Sequence, residues 1–210
     1  MRDGWLGLLS GPTLAAQEHR VHMDEPCAAE RLARAIFEFG SRHLNGTGEI
    51  VLVCIGTDRS TGDALGPLIG SHLMEHAVSG CTVLGTLDNP VHATNLADTM
   101  LWVSEQFENP LVLAVDACLG RVESVGLLTV GAGSLKPGAA VNKTLPEVGQ
   151  VYITGVVNVG GFMEFLVLQN TRLSLVWRMA RVAAGGIAQG VTALLSSRAA
   201  AVSSIHGSYS

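Results

Sequence analysis

EIVLVCIGTDRSTGDALGPLIG, residues 49–70, decides the fold. From Ile50 to Ile55 the chain is apolar without a break. A strand covered on one face alternates apolar and polar residues, whereas one covered on both faces has no solvent side to mark. The run therefore predicts a central strand of a parallel sheet. A second rhythm follows: Leu65, Ile69 and Leu73 recur at helical spacing. Pro67 falls in the first turn, where a missing N–H costs little. Strand, loop and helix in this order form the repeating unit of an α/β fold.

The alternation extends in both directions. Upstream, residues 26–44 carry Leu32, Ile36 and Phe39 at helical spacing. Downstream, a strand is expected over 81–87 and a helix over 92–107. A second fully apolar strand covers 111–115 and ends at Asp116. Strands follow at 126–130 and 151–157. Residues 159–169 form a short helix or irregular chain, and 173–195 a long helix weakened by Gly185-Gly186. Strands alternating with helices predict a mostly parallel central sheet with helices on both faces, a three-layer α/β/α sandwich. The expected organisation is a loose N-terminal extension over 1–25, one domain over 26–195 and a frayed tail over 196–210.

Bulk properties narrow the function. With 210 residues, 48% of them apolar and only 15% charged, the chain can bury one sizeable core. The formal net charge is −5 and no basic stretch occurs, which argues against nucleic acid. Cys27, Cys54, Cys81 and Cys118 lie far apart, without a CxxC pair, so zinc spacing is absent and free thiols in a reducing compartment are expected. A mean hydropathy of +0.36 raises the question of a membrane. Arg178 and Arg181 interrupt one apolar stretch, and Asn158, Gly160, Gly161 and Glu164 break another, so neither reads as a span. The first residues imitate a secretion signal, but Asp3 and Gly11-Pro12 spoil it. A cytoplasmic protein is expected.

The loop within the opening stretch holds more polar chemistry than a connection needs. Thr57, Asp58, Arg59, Ser60 and Asp63 fall within a few residues. Sites in such sheets form beyond the carboxyl ends of strands, where the strand order switches. Asp116, after the second apolar strand, ends at the same level if the two strands are neighbours. Asp63 alone reads as a helix cap, and Asp116 alone as a residue that ties down a turn. As a pair they suit acid/base work, because mutual repulsion separates two carboxyl pKa values. Asp58 and Arg59 are expected to shape the loop as an internal ion pair. His72 and His76 lie one turn apart but away from the strand end and outside an HExxH pattern, and His92 is read as a capping or packing residue. Ser60 lacks the GxSxG setting of a nucleophile.

VCIGTDRSTGDALGPLIG, VDACLG, SLKPGAAVNK and ITGVVNVGGFMEFLVLQNTRL together closely resemble the YyaC-type sporulation proteins of spore-forming Firmicutes, over about two thirds of the chain. That family is similar in turn to the spore germination protease. The protease has a loop ending in PDALGP where this chain has Gly62-DALGP, an IDA element at Val115-Asp116-Ala117, and an HPGSGVGNK loop at Lys136-PGAAVNK. The resemblance implies that Asp63 and Asp116 are catalytic and that the loop from Lys136 to Lys143 lies at the rim. Hydrogenase-maturation endopeptidases are more distantly similar and imply the same sandwich. Their nickel-binding histidine falls on Asn158, a poor ligand for a transition metal, so no metal or other cofactor is expected.

The resemblance implies a sporulation-associated, aspartate-dependent peptidase with water as nucleophile, in the forespore or mother cell. Thr57, Asp58, Arg59, Ser60, Lys143 and Asn158 would bind the substrate, a peptide or small protein such as the small acid-soluble spore proteins. A homo-oligomer is compatible with the sequence. The competing reading is a non-catalytic sporulation factor that binds a peptide or protein in the same cleft. It is favoured by the absence of most of the longer protease's extra sequence.

Overall fold

The computed structural model describes residues 18–44, 48–76, 78, 80–137 and 145–206. Among these residues six strands form one sheet: β1 (Glu18–His22), β2 (Ile50–Cys54), β3 (Cys81–Leu84), β4 (Leu111–Gly120), β5 (Leu127–Ala132) and β6 (Val151–Val159). Their order across the sheet is β1-β5-β6-β4-β2-β3. β3, β2, β4 and β6 are mutually parallel, and β5 and β1 continue the sheet antiparallel. Among the described residues there are five α-helices: α1 (Ala28–Gly40), α2 (Leu65–Glu75), α3 (Leu96–Gln106), α4 (Glu164–Gln169) and α5 (Leu173–His206).

The apolar run of β2 is buried throughout. Its alternate residues divide between two cores. Ile50, Leu52 and Cys54 pack with residues of α1, α2 and α5, whereas Val51, Val53 and Ile55 pack with Leu96 and Val103 of α3. The chain leaves β2 through α2 to reach β3 on one side, then returns through α3 to β4 on the other. Right-handed crossovers in opposite directions put these helices on opposite faces. The expected three-layer sandwich follows, with the switch in strand order between β2 and β4.

Four expectations are corrected. The extension over 1–25 is not loose throughout: Glu18–His22 is an edge strand on β5, and Val21 and Met23 join the core. Two apolar residues are too few to show a period. The tail expected to fray from 196 continues α5 to His206. Its alanine-rich sequence favours helix, and Arg198 Nη1 donates to the Gly48 carbonyl at 2.7 Å. Gly185-Gly186 does not weaken α5 where it packs. A β-carbon at Gly186 would stand 2.8 Å from the Ala29 carbonyl oxygen of α1, so glycine permits the close crossing. Fourth, β4 does not stop at Asp116 but runs on to Gly120, with Asp116 opposite Thr154 of β6.

Candidate active site

β2 and β4 are adjacent, with Cys54 opposite Val115 and the Ile55 amide donating to the Val115 carbonyl at 2.7 Å. That pairing brings Asp63 and Asp116 to one cleft of about 670 Å³ beyond the end of β2. Asp116 stands on the floor beside Thr154 and Cys118, and Asp63 on the wall made by the loop after β2. The loop is held at both ends. The Thr57 amide donates to the Asp63 carbonyl at 3.2 Å, and the Gly62 amide donates to Leu168 of α4 at 2.9 Å. Asp63 is not the cap of α2: Ala64 holds that position and no side chain caps the helix. Its carboxyl is left to the cleft.

The two acids are unequal. Burial first, and then the charge of Asp63, raise Asp116 well above the ordinary carboxylate range, although the Ala117 amide donating to Oδ1 at 2.8 Å opposes this. Burial also raises Asp63, but the Thr57 amide and the charge of His92 oppose it. Asp116 is therefore the member of the coupled pair that keeps a proton to higher pH. Cys118 shares the floor, but burial and the Asp116 charge push its thiol up to about 11, which leaves it neutral and a poor nucleophile.

The remaining expected site residues separate. Thr57, Arg59 and Ser60 line the cleft; Asp58 does not. No ion pair joins Asp58 to Arg59 among the described residues; Arg59 Nε instead donates to Thr57 Oγ1 at 3.3 Å. Lys136 lines the rim and pairs with Glu147 at 2.9 Å. Lys143 lies outside the described residues. Asn158 is not in the cleft. Its Nδ2 donates to Val167 at 3.3 Å and Thr171 Oγ1 at 3.1 Å, so this amide fastens α4 to β6. Cys118, Thr154 and His92 were missed. Cys118 follows from β4 running past its expected end, which the two-residue step from Asp116 to Cys118 hints at, and Thr154 lies within the expected strand over 151–157, opposite Asp116. His92 carries no motif.

Ser60 is 7% exposed and its Oγ has no hydrogen-bond partner. A buried hydroxyl without a partner costs stability. Ser60→Ala should leave the midpoint of thermal unfolding unchanged or raise it by up to the equivalent of ~1 kcal/mol, while weakening ligand binding in the cleft about tenfold. A fall in both would assign Ser60 to the scaffold.

Residues 20–186 match the family described as "Protein of unknown function (DUF1256)". The chain belongs to this family. It is also 58% identical over 160 residues to "Uncharacterized protein YyaC" of Bacillus subtilis (strain 168), covering 76% of this chain and 78% of that protein. The expected likeness to YyaC-type proteins is therefore shown. Among the described residues no helix is long and apolar enough to cross a membrane, and no group of three or more histidine, cysteine or acidic side chains could hold a metal ion.

Proposed function

We propose that this protein is a sporulation-associated peptidase that cleaves a peptide or small protein with Asp63, Asp116 and water. The observation that carries the reading is the meeting of two unequal carboxyls in one cleft at the switch point of a parallel sheet. The likeness of the DALGP, VDA and KPGAAVNK segments to the spore germination protease supplies the reaction class. Asp63, ionised, takes a proton from water as its oxygen attacks the carbonyl carbon. Asp116 gives its proton to the carbonyl oxygen. As the tetrahedral intermediate breaks down, Asp116 recovers a proton from a hydroxyl and Asp63 passes its own to the leaving nitrogen, which restores both acids. Arg59 and Ser60 hold the substrate at the wall.

The test incubates the full chain with small acid-soluble spore proteins across a range of pH, beside Asp63→Asn and Asp116→Asn and with EDTA. Cleavage lost in both variants and indifferent to EDTA supports the reading. Well-folded protein that binds these substrates without cutting them would favour the non-catalytic binding factor. The apolar lip of the cleft, where Phe165 is 63% exposed, suits either kind of peptide partner.

A further inference from the structure

α4 has little apolar burial to hold it. None of its residues is fully buried, Phe165 and Leu166 are exposed, and Leu168 packs only partly against the core. A polar knot at its C-terminal end sets its place instead. Thr171 follows α4 and is buried, and its hydroxyl donates to the Val167 carbonyl at 2.9 Å. Asn158 Nδ2 donates to that hydroxyl at 3.1 Å and to the same carbonyl at 3.3 Å, while Oδ1 accepts the Val159 amide at 2.8 Å. Both hydrogens of the Asn158 amide are thus engaged within the fold. The Leu168 carbonyl accepts the Thr171 amide at 3.3 Å and, from the loop after β2, the Gly62 amide at 2.9 Å. Only glycine lets the loop come this close: a β-carbon at Gly62 would stand 2.8 Å from Leu168 Cδ2 and 2.9 Å from Thr171 Oγ1.

We propose that Asn158 is a positioning residue for Asp63, acting through Thr171 and the end of α4 to lock the loop after β2 onto β6. The hydrogen bonds run from one acid to the strand beside the other. Asp63 follows Gly62 directly. Asn158 belongs to the strand whose Thr154 stands opposite Asp116. The knot therefore fixes the loop that carries Asp63 against the part of the sheet that carries Asp116. It also sets α4, which presents Glu164, Phe165 and Leu168 to the cleft. A displacement of about 1 Å in a reacting group can cost about 10²-fold in rate, even when its cause lies away from the chemistry. The consequence for cleavage rests on the peptidase reading; the tie between Asn158 and the loop does not.

The test measures hydrogen exchange at the Gly62 amide of the full chain by NMR, beside steady-state cleavage of small acid-soluble spore proteins. It compares the wild type with Asn158→Ala, Thr171→Val and Thr171→Ser. Valine keeps the shape of threonine without its hydroxyl, and that variant serves if alanine at 158 unfolds the strand. In Asn158→Ala and Thr171→Val, protection of the Gly62 amide should fall about tenfold relative to the amides of β2. In the same two variants kcat should fall about tenfold or more, with KM little changed. Thr171→Ser retains the hydroxyl and should behave as the wild type in both measurements. Gly62 protection that stays in place in both variants overturns the proposal, whatever the cleavage data show. A rise in KM at constant kcat also overturns it, and would return Asn158 to the substrate. Lost protection without cleavage by the wild type at any pH would sink the peptidase reading and leave the tie from Asn158 to the loop standing.

Discussion

Asp116→Asn should lower cleavage about 10³-fold and at the same time stabilise the protein near neutral pH. The two effects have one cause. Catalysis needs a carboxyl that can hold a proton and then release it, and the amide can do neither. Folding sees a different cost: Asp116 is raised well above the carboxylate range by burial and then by Asp63. The folded protein binds this proton more tightly than the unfolded chain, where an aspartate titrates near ~3.9. The stability contributed by the bound proton is fully present below that value. It is lost as pH rises through the folded-state titration. Above it, the wild type carries a buried charge beside a second one, and the asparagine does not. Thermal unfolding across pH should show wild-type stability falling through this window and the variant's staying level. Each ~1 kcal/mol regained would raise the Tm by about 2–4 °C for a chain of this size. A variant destabilised at pH 7 would mean that the Asp116 charge is satisfied in the fold, and the assignment of the proton to Asp116 would fail.

That coupling of function to stability also explains what the sequence could disclose. β2 and the start of β4 were legible because burial on both faces removes polar residues from a strand and leaves an unbroken signal. Asp116 broke the signal and read as a strand end, yet β4 continues through it because Thr154 and Gly155 of β6 pair alongside. A carboxyl inside a strand violates the local rule of burial, and such violations gather at working sites. β1 was illegible for a simpler reason: an edge strand with three exposed residues followed by buried Val21 has almost no pattern to show.

The site shows the same division. Asp63 and Asp116 were readable as a pair, since each follows an apolar run and the two apolar runs lie side by side, with Cys54 opposite Val115. Side-chain commitments were not readable. Asn158 was expected to bind substrate, but whether an amide serves a substrate or a neighbouring helix depends on where α4 packs. Here Thr171 and Val167 claim it. His92 gave the opposite error. It stands before a helix, where a capping role is the economical reading, and only the bridge between Val91 and Ile55 carries it to the cleft.

That bridge converges with the loop on Gly56, and Gly56→Ala should therefore damage fold and site together. Gly56 has φ of 144°, a region an L side chain rarely adopts, and a β-carbon there would stand 2.0 Å from the Asp63 carbonyl oxygen and 3.0 Å from Pro67 Cδ. The carbonyl cannot move freely, because it also accepts the Thr57 amide, and the Gly56 amide is bonded to Val91. Relief of the clash must shift the wall that carries Asp63 or the segment that carries His92. The expected loss is about 3 kcal/mol from conformational strain plus collision, or a Tm lower by about 6–12 °C. Cleavage measured well below the variant's Tm should fall further than the unfolded fraction explains. Gly133→Ala separates the two causes. Gly133 also has positive φ, 115°, but nothing lies within 4 Å of the added carbon. It should cost only the conformational part, about 1 kcal/mol, and leave cleavage intact. Equal losses in the two variants would show that collision with Asp63 contributes nothing, and that the loop does not depend on Gly56 to set its acid.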